Sequence, residues 1–302
     1  MEQVLVNGLY LGAQYALIAL GLTLIFSLMN VLNFAHGQMY VLGGFVTYTV
    51  VEQFQLPFVV GLLASALVLA ATGALVERFL FRPVIRNSRR EESTMLLAAG
   101  IAFFLDAIIL LLFGEKQRGV PKIIDGVFNW EFVIVMPYDR IAIGALAIGL
   151  IVAFILFMQH SKSGRAMRAL AQDKVAARLM GVDVDRYSMI GFALGAMLAG
   201  LVGGLLVTIT GINLGMGGPT SIKAFMMIMI GGAGVISGAI VGGFIASLLG
   251  GSSIQVSGPT GARIAGANRN RSPFSPMARR NPMARGARPR RPPEYPLVQN
   301  CE

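Results

Sequence analysis

The feature that most constrains this chain is a succession of apolar runs, each close to the length that a lipid bilayer demands. A hydrocarbon core needs about 20 consecutive apolar residues to be crossed as helix. Irregular backbone cannot face lipid, because its amides and carbonyls would go unpaired. By that measure, spans are expected near residues 4–29, 34–51, 58–76, 94–113, 141–158, 188–212 and 222–236, with a shorter eighth near 239–249. So little separates the first two that a broken or re-entrant helix is expected near Asn33. The fold class that follows is all-α, a polytopic transmembrane helical bundle of about seven or eight spans. Charged residues make up 13% of the chain, where soluble domains carry about a quarter. Met1 runs into the first apolar stretch with no basic segment or small-residue cleavage site, so that stretch is expected to remain in the mature protein.

The formal charge of +10 is unevenly placed. Residues 252–302 hold nine arginines and no lysine against Glu294 and Glu302. The basic balance is therefore mostly a property of this tail, and no nucleic-acid partner is expected for the rest. Rich in Arg, Pro, Gly, Ala and Ser, the tail cannot bury enough apolar surface to offset its ordering entropy, and disorder is expected for 251–302. Two basic loops set the orientation: Arg78, Arg82, Arg86, Arg89 and Arg90 in one, Lys162, Arg165, Arg168, Lys174, Arg178 and Arg186 in the other. Both should be cytoplasmic, with 114–140 and the amino terminus outside. Small residues recur every fourth position (Gly8, Gly12, Ala16; Gly191, Gly195, Ala199, Gly203; Gly234, Gly238, Gly242). Such rows let helices approach closely in lipid and read as packing seams.

Enzyme chemistry has little to stand on. No glycine-rich run is followed by Lys-Ser or Lys-Thr, so no phosphate-cradling loop is present. Two histidines, His36 and His160, and one cysteine, Cys301, assemble neither a metal site nor a nucleophile pair, and no cofactor is expected. What remains are polar groups at membrane depth, which are costly unless they pair or line a cavity. Asn33, His36, Gly37 and Gln38 border a helix break whose freed backbone groups can line a passage, or simply cap the break at an interface. Asp106 lies toward the outer end of the fourth span, where it serves a solute or reaches the interface. Lys223 reads as a snorkelling cation, and Gly231 and Gly232 as a close contact or kink in a methionine-rich helix. Between the fifth and sixth spans, Met167, Leu170, Ala171, Val175 and Leu179 form a rough helical stripe that Gly181 is placed to end. A helix of that kind lies on the lipid surface or docks into a partner's groove.

Taken together these residues resemble the LivH-type permeases of bacterial ABC importers for branched-chain amino acids. The matching pieces are Gly8 to Gly12 leading to Tyr15 to Gly21, Asn33 to Gly37, Glu77-Arg78 with Arg82-Pro83, residues 164–182, and Lys223 to Phe225 leading to Gly231 to Gly234. The resemblance implies a multi-pass inner-membrane subunit paired with a second, LivM-like permease, two ATP-binding subunits and a periplasmic substrate-binding protein, in contact with membrane lipid. It implies that Gly164, Arg165, Arg168, Ala169, Asp173, Ala176 and Gly181 form the loop docking on the ATPase. More weakly, it implies that Asn33, His36, Gly37, Gln38, Asp106, Gly231 and Gly232 lie in the translocation region. After Gly250 the chain departs from the pattern, whose members cross once more; a reading-frame change is the expectation, a genuine basic tail its rival. The solute stays open between branched-chain amino acids and urea or short amides, and an ion-coupled carrier working alone is the reading from another class.

Overall fold

The computed structural model describes residues 2–87, 91–121, 126–130 and 134–256. The disorder expected for the tail falls almost wholly outside them, as do Arg89 and Arg90.

Two contacts establish which loops share a face. Arg82, after the third helix, donates to the Asp185 carbonyl at 2.9 Å, so the two basic loops lie together. Arg118 and Ile212 exchange backbone hydrogen bonds of 2.9 and 2.7 Å, so the loops holding them lie together as well. By the positive-inside rule the basic pair is assigned to the cytoplasmic face, which assigns the second pair to the outside. Helix α1 (Glu2–Met29) ends with Leu28 and Met29 beside Arg82 and Arg86, and so runs from outside to inside. The chain turns at Asn30 in the left-handed region (φ 55°), which asparagine tolerates better than most residues. It does not restart at the inner face. Helix α2 (His36–Tyr48) begins with His36 against the Ile18 carbonyl, partway up α1, and runs back outward through a π-helical turn, Thr49–Gln53. The expected break near Asn33 is thus a re-entry.

Helix α3 (Phe58–Val76) descends and continues through a π turn (Glu77–Phe81) into the short α4 (Arg82–Asn87). Pro83 has no N–H to give the preceding turn, and the helix widens into the π turn just before it. Helix α5 (Glu91–Phe113) ascends to an outer antiparallel hairpin, β1 (Val127–Trp130) with β2 (Ile134–Pro137). Helix α6 (Tyr138–His160) descends to the cytoplasmic pair α7 (Lys162–Gln172) and α8 (Lys174–Leu179), and α9 (Val184–Leu206) returns. Helix α10 (Gly217–Gly231) and helix α11 (Ile236–Val256) close the described chain.

Helices α1 and α9 form the centre: 78% and 72% of their spans are buried, against 22% for α5 and 33% for α3 and α6. Leu67, Leu96, Phe103 and Leu111 are largely exposed, the mark of a lipid-facing surface. In lipid, apolar side chains gain nothing by meeting each other, and close backbone packing drives association instead. The small-residue rows do that work. A Cβ on Gly195 would lie 2.6 Å from the Gly21 carbonyl of α1, and one on Gly203 would run into the Tyr40 carbonyl of α2. Gly8 and Gly12 admit Leu248 and Phe244 of α11, where the Ser247 hydroxyl donates to the Gly8 carbonyl at 2.8 Å.

Among the described residues, five helical stretches are long and apolar enough to cross a membrane, six if Leu214–Gly231 and Ile236–Leu248, bent by 117°, count as one. The expected seven or eight counted three pieces that the re-entry and this bend shorten.

Candidate functional site

Three cavities lie along α1, which serves as a ruler. The outer one, about 440 Å³, touches Leu11, Gln14, Tyr15 and Ile18, which the helical repeat puts on one face. Opposite stand Met216, Thr220, Lys223 and Met227, a matching face along the start of α10, with Tyr40, Leu206, Thr210 and Asn213 completing the wall. Lys223, expected only to snorkel, places its ammonium 5.8 Å from the centre of the Tyr15 ring. Gln14 is wholly buried; it neighbours the Tyr10 hydroxyl, yet neither group completes a hydrogen bond.

Ile18 is the innermost α1 residue on the outer cavity, and Leu24 is the first α1 residue on one of two inner cavities. Six residues at 1.5 Å each make a septum of about 9 Å. Asn33, His36, Gly37 and Gln38 sit in or beside this septum, buried, and line none of the three cavities. The Asn33 Oδ1 accepts from the Ala35 amide at 3.1 Å and so shapes the entry to α2. The His36 Nε2–H donates to the Ile18 carbonyl at 3.1 Å, which leaves Nδ1 without a partner. The Gly37 amide donates to Ser221 Oγ at 2.9 Å, and Ser221 donates to the Phe34 carbonyl at 3.0 Å, tying α10 to the re-entry. These side chains therefore cap and brace the break. The Asn33 Nδ2 and Gln38 Oε1 nevertheless stay unpartnered in a buried setting, a costly arrangement.

One inner cavity, about 440 Å³, opens where α7 meets the bend between α10 and α11, with Met167, Arg168, Gly234 and Val235 on its wall. Gly231 packs its backbone on Gly238, and Gly232 (φ 94°) and Gly234 (φ 87°) take left-handed conformations that favour glycine. The other, about 590 Å³, is lined by charge: Glu77, Arg82, Arg86, Lys174, Arg178, Asp183 and Asp185. Arg82 pairs with Glu77 at 2.8 Å, Arg86 pairs with Asp185, and burial pushes the Lys174 ammonium below its ordinary value. Asp106 lines none of these cavities, and its Oδ1 is buried without a partner on the lipid-facing α5.

The loop residues divide by task. Gly164 is buried in the turn from α6 to α7, where a Cβ would lie 2.6 Å from the Phe157 carbonyl. Arg165 and Arg168 fold back onto the carbonyls of His160 and Gln159, at 3.0 and 3.4 Å, neutralising the end of α6. Asp173 caps α8, accepting from the amides of Val175 and Ala176. That cap splits the expected single stripe: Met167 and Leu170 are buried, whereas Val175, Leu179 and Met180 are 70%, 83% and 85% exposed. Ala169 and Ala176 lie on the exposed side. Gly181 (φ 81°) ends α8 with the Val182 amide bonded to the Ala177 carbonyl and its own to Arg178, the double closure of a Schellman turn.

Sequence reasoning missed the role of Gln14 and Tyr15 on the outer wall and the cluster of Glu77, Arg82, Arg86 and Asp185. A polar amide inside the first span and a carboxylate closing the third were the available signals.

A family model described as "Branched-chain amino acid transport system / permease component" matches residues 4–264. The high-affinity branched-chain amino acid transport system permease protein LivH of Salmonella typhimurium is 31% identical over 258 residues, 80% of this chain and 82% of that protein. BraD of Pseudomonas aeruginosa, with the same description, is 32% identical over 256 residues, 80% and 83% of the two chains. The probable branched-chain amino acid transport permease protein LivH of Methanocaldococcus jannaschii is 30% identical over 237 residues, 76% and 73%. No solved structure matches the chain.

Proposed function

Since this chain belongs to the family of branched-chain amino acid transport permeases, we propose that it passes leucine, isoleucine and valine across the bacterial inner membrane as one subunit of an ABC importer. The observation that carries the reading at the level of the site is the outer cavity: mostly apolar, with a few polar groups and one cation, and parted from the cytoplasmic cavities by a thin septum. Solute would rest above the septum and pass when α1, α2 and α10 shift around Gly37 and Ser221. This is the sense in which Asn33, His36, Gly37 and Gln38 belong to the translocation region, with Gly231 and Gly232 at the bend that lets α10 move.

The energy must come from elsewhere, because the sequence holds no phosphate-binding loop. The partners we assign are two ATP-binding subunits, a second permease and a periplasmic substrate-binding protein. Val175, Leu179 and Met180 offer the ATPase an apolar cytoplasmic patch, and the caps at Gly164, Asp173 and Gly181 hold it in shape. An ion-coupled carrier would rest on Asp106, which touches none of the cavities.

The test is uptake in vesicles holding the chain with its candidate partners. ATP-dependent accumulation of leucine, insensitive to urea and acetamide, is expected. Uptake by the chain alone, driven by an ion gradient, overturns the reading; accumulation of urea in place of leucine overturns the assigned solute.

A further inference from the structure

We propose that Lys223 and Gln14 form the head-group end of a solute site in the outer cavity, which holds an apolar amino acid by its carboxylate. The proposal rests on the permease reading and adds to it which groups of the solute are read, and by which residues.

Three observations carry it. Of the described residues that line the cavity, Lys223 alone is charged, and no ion pair with another described residue engages it. The Tyr15 ring lies 5.8 Å from its ammonium, and such a contact orients a cation without neutralising it. Gln14 faces the same space, is 0% exposed, and has neither its amide nitrogen nor its amide oxygen satisfied. The neighbouring Tyr10 hydroxyl can satisfy one end of that amide, and the other end is left for a partner that the cavity brings. Leu11, Ile18, Leu206 and Met227 add an aliphatic part suited to a branched hydrocarbon side chain, beside Tyr40, Thr210, Asn213 and Thr220 on the same wall.

The chemistry of the donors selects the ligand. A lysine ammonium offers only donors and a net charge, so it takes an anion. A glutamine offers a donor and an acceptor, so with Tyr10 at Nε2 its Oε1 can receive an α-ammonium. No acidic side chain lines the cavity among the described residues. The carboxylate is therefore held by charge and the ammonium by the weaker pull of an amide oxygen.

The test uses the assembled transporter carrying Thr220→Cys, a near-isosteric change on the cavity wall, with Cys301→Ser to remove the native thiol. Maleimide labelling of the new thiol is followed with leucine, with leucinol, which lacks the carboxylate, and with 4-methyl-2-oxopentanoate, which lacks the ammonium. Leucine is expected to slow labelling strongly, the oxo acid less, and leucinol hardly at all. Lys223→Met should raise the leucine concentration needed for protection about tenfold or more, the loss typical of a charge-assisted hydrogen bond. Lys223→Arg should restore most of it. Gln14→Leu should weaken protection by leucine more than by the oxo acid. Equal protection by leucinol and leucine, or protection indifferent to Lys223→Met, overturns the assignment while leaving the permease reading intact. Absence of leucine uptake by the unaltered complex in the same vesicles overturns both.

Discussion

Asp173 accepts hydrogen bonds from the backbone amides of Val175 at 2.8 Å and Ala176 at 3.0 Å, and its carboxylate is thereby engaged within its own loop. Its role is to start α8, which presents the exposed Val175 and Leu179. A cap residue replaced by alanine costs about 1 kcal/mol of helix stability, while asparagine caps as well as aspartate does. ATP-driven leucine uptake should therefore survive Asp173→Asn and fall in Asp173→Ala; equal loss in both would mean that the charge itself meets the partner. Gly181 was legible from the sequence, since a glycine after a helical stripe is where a left-handed cap is needed, and the φ of 81° agrees. Lys223 was not. Its position at the head of a span suggested the membrane surface, and only the fold of α10 beside α1 brings it to Tyr15.

At the scale of elements, the bend between α10 and α11 concentrates the constraint. Gly231 and Gly238 meet backbone to backbone, and a Cβ on either would strike the other's carbonyl. Overpacking of this kind costs about 1–3 kcal/mol, since neither backbone can yield as a side chain would. Gly231→Ala should lower the thermal midpoint of the purified protein in detergent, and Gly218→Ala, which meets nothing within 4 Å, should leave it unchanged. The sequence showed that glycines 231, 232 and 234 mark a close contact or kink, but not a bend of 117°. Glycine permits many angles; the one adopted depends on α1, whose Ala16 and Gly12 seat the returning α11. The cytoplasmic helix was misread for a related reason. Its hydrophobic period runs through Asp173, and the cap broke the helix where the period alone would have continued it.

Over the whole molecule, topology was the most readable level. Basic loops and apolar runs are additive properties of sequence, and the contact of Arg82 with Asp185 puts the two basic loops on one face, as that of Arg118 with Ile212 does for the opposite loops. Cavities are not additive, because each needs helices distant in sequence, and neither their number nor the septum was foreseen. A membrane-impermeant maleimide applied from outside should label Thr210→Cys, and Arg178→Cys only after the membrane is opened, in each case with Cys301→Ser present. The reverse pattern would invert the protein in the membrane.

The backbone contacts at Gly43, Gly195, Gly203 and Gly231 bear on how genetic data for such a protein are interpreted. No side chain of any size fits there, so a screen for inactive alleles will return these codons often. They would cluster along the same helices as the solute cavity, and so imitate a recognition surface. Alleles that alter which solute is taken up, with the amount of protein in the membrane unchanged, are the ones that report on recognition.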